Sequence, residues 1–376
     1  DVIIQTQNLN VGKILRKDSL MGRITANVSA KGQSFDINKM NAMLRGEIHS
    51  AGFMGYNYSA INFDAKVDKK VANANLVSND PNAVLKLNAD ANLNGQYPAV
   101  VAKLVIDSMD MQALKLYKEE LKVRTTVDAN LPELNPDYPR GTVNVNRPQV
   151  VMSGQRYYLD SIYLSSQPNA DSGNFIVLDA DAIQAVITGK TPLSKVGTIV
   201  QQRIDKYYAA KRDTTKLVAA TSVKKDTTTV PADYNLNLSA IIRDRPLLRI
   251  LVPGLQQLDT VTIDGALTPA DMYVNVNIPR VQYNDMNLYN GAANVTGRDS
   301  ALTYDVTLDR FTNSSLEVWY AKVNGSLYDQ VIDANVSIAD SGRTERFALG
   351  ATYSQRDTQK VSLKPGLVLN YKTWQV

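Results

Sequence analysis

The chain reads as an almost all-β repeat protein built from long antiparallel strands, with one continuously apolar face and a few short helices. Three observations predict this. Apolar and polar residues alternate with period two over most of the 376 residues, helical spacing is sparse, and the apolar positions are rich in small side chains.

The alternation is explicit residue by residue. Ile24, Ala26, Val28 and Ala30 alternate with Arg23, Thr25, Asn27, Ser29 and Lys31. Ile61, Phe63, Ala65 and Val67 repeat the pattern, and Ala83, Leu85, Leu87, Ala89, Ala91 and Leu93 extend it against Lys86, Asn88, Asp90 and Asn92. Later come Met272, Val274, Val276 and Ile278, then Tyr304, Val306 and Leu308, then Leu316, Val318 and Tyr320. Successive side chains of a strand point to opposite faces, so each run has one apolar and one polar face. Turns rich in Gly, Asn, Asp and Pro join the runs, which makes antiparallel hairpins the default. The opening DVIIQTQ already reads as a strand. With no Met at the start, no signal peptide and no long apolar run, the chain is expected to be part of a longer one, and any membrane anchor would then lie outside it.

Helical spacing is clearest over Thr191–Ala210, where Thr191 is the expected N-cap and Pro192 the first helical residue. Leu193, Val196, Val200, Ile204 and Tyr207 form its apolar stripe, and Lys195, Arg203, Asp205 and Lys206 its polar positions. That stripe is expected to pack on the apolar face of the sheet. Shorter helices are expected at Met109–Tyr117, at Arg245–Gly254 and near Asn10–Arg16. Between Lys211 and Ala232 the chain turns Thr-, Lys- and Asp-rich and loses periodicity, as a linker or loop does. The expected organisation is therefore a first β-groove segment at 1–190, an amphipathic helix at 191–210, a linker at 211–232 and a second, related β-groove segment at 233–376.

The relation between the segments rests on matched strings. Val143-Asn144-Val145-Asn146-Arg147-Pro148-Gln149-Val150 corresponds to Val274-Asn275-Val276-Asn277-Ile278-Pro279-Arg280-Val281, and Thr126–Leu131 to Thr262–Leu267. In both, the expected order is short helix, strand, turn, strand, proline, strand. An internal repeat in the same order implies stacked supersecondary units.

Composition argues against catalysis and most ligand chemistry. The chain has no Cys and a single His, His49, so neither a His-based triad nor a soft-metal site has a ligand set; no cofactor is expected and the chain reads as a non-enzyme. Asp179 and Asp181, at same-face positions of the run Phe175–Ile187, are better explained as a solvated strand face than as an acid–base pair, and Glu119 and Glu120 are the other adjacent carboxylates. A net charge of +4 with both signs mixed, and no basic stripe with interleaved aromatics, argues against nucleic acid.

An alternating sheet must cover its apolar face, as a sandwich, a barrel or a trough. A sandwich asks for large inward residues. Here Ala26, Ala30, Ala65, Ala89, Ala91 and Ala334 leave room, and acyl chains suit a face that offers apolar contact without directional hydrogen bonds. The candidate groove-lining, lipid-binding residues are Ile24, Ala26, Val28, Ile61, Phe63, Leu85, Leu87, Ala89, Ala91 and Leu93 in the first half. In the second half they are Val274, Val276, Ile278, Tyr304, Val306 and Leu308. At about 4.8 Å per strand, some twenty strands give a groove of roughly 90 Å.

The Leu85–Leu93 type of strand, the segment ADAIQAVITGKTPLSKVGTIVQQRIDKYY, the Thr/Lys-rich insert, the run RPLLRILVPGLQQLDTVTIDGAL and the closing LVLNYKTWQV together resemble the TamB branch of the AsmA-like proteins, in particular the C-terminal region of those of the Bacteroidetes. The resemblance implies an elongated β-taco with a hydrophobic groove, in the periplasm of a Gram-negative envelope, with the full-length protein anchored in the inner membrane. It implies carriage of phospholipids between the inner and outer membranes. The alternative it implies is a scaffold for assembly of outer-membrane β-barrel proteins with a barrel partner of the TamA/BamA type.

Overall fold

The computed structural model describes residues 1–17, 19–34, 36, 38–169, 171–208, 232–298, 301–355, 359–371 and 374–375. Apart from Ala232, the expected linker at 211–232 lies outside the described residues. The fold is nearly all antiparallel β in an open sheet, with short helices, and the chain divides into two compact units. The first is Asp1–Pro168 with Ile176–Asp181, the second Asn169–Phe175 with Ala182–Val376.

In the first unit the strands are β1 (Val2–Asn10), β2 (Met21–Gln33), β3 (Asn41–Phe53), β4 (Tyr56–Asp68), β5 (Val71–Asp80), β6 (Ala83–Asn92), β7 (Ala99–Asp110), β8 (Lys122–Glu133) and β9 (Arg140–Met152). Each pairs antiparallel with the next. Beyond β9, the short β10 (Gln155–Tyr158) and β11 (Ile162–Ser166) pair with its two ends, and β12 (Asn174–Asp179) continues from β11. Helix α1 (Val11–Leu15) follows β1, and the Asn10 side chain caps it by accepting the Lys13 amide at 2.9 Å.

These strands do not run straight. Register slips fall between Thr6 and Leu9, Thr25 and Ala26, Val84 and Leu85, Ile106 and Met109, and Arg124 and Thr126. Left-handed residues sit in the same band, with φ of 55° at Asn8, 49° at Ala60 and 37° at Arg147. Bulges bend a strand and tighten its twist. Here they line up from strand to strand along Ala26–Ile48–Ile61–Ser78–Leu85–Ile106–Thr125, so the bends add into one crease. Burial follows the crease: Ala26 is 4%, Ser78 3%, Ile106 8% and Thr125 9% exposed. The two arms of the bent sheet thus cover its own inner angle.

One arm is tied down by a buried carboxylate. Asp80, fully buried, accepts the Tyr56 hydroxyl at 2.8 Å, the Ser59 amide at 2.8 Å, the Ser59 hydroxyl at 3.0 Å and the Asn82 amide at 2.9 Å. Burial alone raises a carboxyl pKa, but these hydrogen bonds outweigh it and hold Asp80 below the ordinary range. Against this arm packs the stretch after β7. The helix expected at Met109–Tyr117 is a single turn there: Met109 and Asp110 finish β7, and the Asp110 side chain accepts the Ala113 amide at 3.0 Å. Leu114, fully buried, anchors the turn, which has no room to propagate before β8 starts.

The second unit opens with β13 (Ile183–Gly189), followed by a 3-10 turn (Leu193–Lys195) and α2 (Val196–Tyr208). Then come β14 (Leu236–Ile242), α3 (Pro246–Leu251), β15 (Leu255–Leu258), β16 (Val261–Leu267), β17 (Asp271–Tyr283), β18 (Met286–Arg298), β19 (Ala301–Thr312), β20 (Glu317–Tyr328), β21 (Val331–Ala339), β22 (Glu345–Ser354), β23 (Lys360–Leu363), β24 (Val368–Tyr371) and β25 (Trp374–Gln375). From β16 to β22 each strand pairs antiparallel with the next, while β13 and β14 pair on the near side and β15 pairs with the end of β17. Thr191 is not an N-cap: its hydroxyl donates to the Asn235 carbonyl at 2.8 Å, fixing the helix root to β14 instead. Asp179 and Asp181 do not share a strand face, since the run breaks between β12 and β13.

The matched strings pair in equivalent register. Val127 lies opposite Val145 as Ile263 lies opposite Val276. The copies differ upstream, with α3 in the second and the single turn in the first. The second unit bends at a band of its own, marked by left-handed Asn290 and Tyr320 and a register slip between Trp319 and Lys322, and the prolines fall at the bend each time: Pro148 follows left-handed Arg147, and Pro279 faces Asn290 with φ 49°. A proline removes an amide from the ladder, which a bulge tolerates.

Candidate functional site

The sheet register assembles the alternating residues into apolar rows running across the strands. In the first unit one row is Ile4–Val28–Gly46–Phe63–Leu76–Leu87–Leu104–Val127–Val145–Ile162. The next row out is almost all small: Ala30, Leu44, Ala65, Ala74, Ala89, Ala102, Ala129 and Val143. A third joins Ala42, Val67, Ala72, Ala91, Val100 and Leu131. The reverse face carries Arg45, Asp64, Asn75, Asn88, Lys103 and Asp128 in one polar row.

Ala26, Val28, Ile61, Phe63, Leu85, Leu87, Ala89 and Ala91 therefore share one face, with Ala26, Ile61 and Leu85 in the crease and the others farther out. Ile24 lies across the register slip from Ala26, on the other arm, opposite Ala51. Leu93 stands just past the end of β6 and is 39% exposed. In the second unit Val274 continues to Val295, Tyr304 and Gly325, and Val276 to Ala293, Val306 and Val323. Ile278 lies opposite Gly291, and Leu308 opposite Ala321, both at the bend. Val274 and Val306 are each 40% exposed, so this stretch of the face is open rather than covered by a second layer.

Shape along the face is set by glycine next to aromatics. A Cβ on Gly46 would meet the Phe63 ring at 2.9 Å, so the ring lies down on the neighbouring strand because that position has no side chain. Near the outer edge a small apolar cavity of about 170 Å³ opens between Leu131, Gly141, Val143, Leu164, Ser166 and Ile176.

In the second unit the face has an occupant. Ile199 and Tyr207 of α2 are buried against Leu267 and Met272, flanked by Leu236, Leu302 and Leu327. These sheet residues form the row Leu236–Leu267–Met272–Gly297–Leu302–Leu327, at the strand ends far from the bend. The amphipathic helix thus packs on the apolar face, as its stripe predicts, but rotated by about one residue. Ile204 is 38% exposed, while Arg203, expected among the polar positions, is 4% exposed. Ile199, Arg203 and Tyr207 fall at i, i+4 and i+8 on one line, and the Arg203 guanidinium stacks 5.6 Å from the Tyr207 ring centre.

The chemistry-bearing residues singled out in the sequence make local contacts. His49 lies on the polar face, 3.0 Å from the Asn27 side-chain amide. Glu120 accepts the Gly154 amide at 2.8 Å. Among the described residues no cluster of His, Asp or Glu is arranged to hold a metal, and no helix is long and apolar enough to cross a membrane. Three features escape a reading of the sequence: the crease, the Asp80 knot and the buried Arg203. Only the glycine–aromatic pairs leave a trace in it. Comparison with protein-family models, with curated proteins and with solved structures returns no match.

Proposed function

We propose that this chain is part of a TamB-type protein of the Gram-negative envelope and that it carries phospholipid acyl chains along its apolar face through the periplasm, the full-length protein being anchored in the inner membrane. The observation that supports this most is the open row of small residues, Ala30 to Val143, lying between the crease and the free edge of the first unit. A core-filling face would carry bulk there. Acyl chains need apolar area and slide without breaking hydrogen bonds, while a phosphate headgroup stays in water at the open side.

The test charges the face without touching the fold's ties. Leu87→Asp combined with Leu104→Asp places two carboxylates side by side in one row, since these residues are cross-strand partners. Phospholipid copurifying with the chain, counted by mass spectrometry, should fall by about tenfold or more, because two unpaired charges on an apolar surface cost several kcal/mol. Lys86→Asp, on the polar face, should leave it unchanged. Lipid content equal to the parent's in the double variant would refute the reading. Loss of outer-membrane barrel proteins with lipid carriage intact would instead support the scaffold with a TamA/BamA-type partner.

A further inference from the structure

Helix α2 lies where an acyl chain would lie. It is rooted firmly: the Thr191 amide and hydroxyl both donate to the Asn235 carbonyl, at 3.1 Å and 2.8 Å, and the Lys190 amide donates to the Asn235 side chain at 2.6 Å. Beyond the root it is held by apolar contact through Ile199, Val200 and Tyr207 and by one hydrogen bond, from Arg203 to the β16–β17 turn. The hydroxyl end of the Tyr207 ring fills the notch at Gly297, where any Cβ would clash with that hydroxyl and the ring carbon that bears it.

Arg203 works against this docking. Its Nη1 donates to the Pro269 carbonyl in the β16–β17 turn, but Nε and Nη2 are buried with no hydrogen-bond partner among the described residues. These two nitrogens form the side-on edge of the guanidinium, the pair of donors that grips an oxyanion in bidentate fashion. A buried donor pair left unmade is costly, and more so on a permanent cation. A helix meant only to complete a core would be served better by Leu or Met at this position.

We propose that α2 is a lid on the apolar face, displaced by anionic phospholipid: the acyl chain takes the Leu267–Met272–Leu302–Leu327 row, and the side-on edge of Arg203, freed as the helix lifts, takes the headgroup phosphate. This rests on the lipid-groove reading and adds its regulation. An empty groove keeps its apolar row covered, and the buried guanidinium keeps that cover weak enough to exchange for lipid.

Hydrogen exchange of the full chain, followed by mass spectrometry over Val196–Tyr208, tests the proposal. Dioctanoyl phosphatidylglycerol should speed exchange of α2 by about tenfold, while inorganic phosphate should not. Arg203→Met removes the orphaned donors, so without lipid its α2 should exchange about tenfold more slowly than the parent's, and lipid should speed it less. Bound lipid with unchanged or slower α2 exchange in the parent overturns the lid and leaves the groove reading standing. No bound lipid at all sinks the groove reading itself. Equal acceleration by inorganic phosphate overturns displacement by an acyl chain. Arg203→Met exchange equal to the parent's overturns the part assigned to Arg203.

Discussion

Asp80→Ala should unfold the first unit well before the second. The substitution removes the acceptor of four hydrogen bonds, from the Tyr56 hydroxyl, the Ser59 amide and hydroxyl and the Asn82 amide, at a position with no exposure. Hydrogen bonds to a charged group contribute about 1.5–3 kcal/mol each, and orphaned buried donors add their desolvation cost. The bonds share one acceptor and do not add, so about 3–5 kcal/mol is expected. For a unit of this size that lowers the melting transition by about 10 °C. Calorimetry is the assay, because two units need not melt together. The carboxylate's pKa is depressed in the folded state, so its stabilisation is complete above the ordinary carboxylate value and is lost as pH falls through the folded value. The parent's first transition should drop with acid over that window, and the Asp80→Ala transition should drop less. A variant melting within about 2 °C of the parent, or sharing its full acid response, would refute the assignment of Asp80 as the tie.

Gly46→Ala should cost about 1–3 kcal/mol, since its Cβ meets the Phe63 ring at 2.9 Å; adding Phe63→Leu should recover part of it in urea melts. Asp244 receives Arg249 Nε at 3.0 Å and Nη2 at 2.9 Å, and these bonds hold its carboxyl below the usual range. Its hold on α3 is therefore present above the ordinary carboxylate value and lost below it. Protection of the α3 amides, corrected for the intrinsic exchange rate at each pH, should fall in acid in the parent, and already at neutral pH in Asp244→Asn. Arg310 stacks 4.5 Å from the Trp319 ring centre and pairs with Glu317 at 2.7 Å. Arg310→Met should shift Trp319 emission, read in a Trp374→Phe background, while costing about 1 kcal/mol or less at so exposed a pair.

Some of the molecule was legible in one dimension. Period-two alternation is a local property of extended backbone, so the shared face of Leu85, Leu87, Ala89 and Ala91 follows from spacing alone. Caps and breakers are local too, which is why α1 after Asn10 and α3 between Pro246 and Gly254 lie near their expected places. The Met109–Tyr117 stretch misled because Met111, Leu114 and Tyr117 sit three apart, a spacing a helix also uses, and only packing against the β5–β6 arm shows a single turn. The stripe of α2 misled by one position for a related reason. A sequence pattern weighs Arg203 as a charge, whereas in the fold its stem and guanidinium lie against Tyr207.

By itself, then, the sequence determined that the chain is β, that one face is apolar, and that this face is lined with small residues. Which residues stand beside one another on that face was decided only by the tertiary structure. Cross-strand neighbours such as Leu87 and Leu104 depend on register, and a shift by a single residue would send every side chain to the other face. The crease depends on slips in successive strands falling in line, so no one strand contains it. The cover over Met272 comes from a helix many residues upstream. Each of these is a contact between distant parts of the chain, and local propensity carries no record of such contacts.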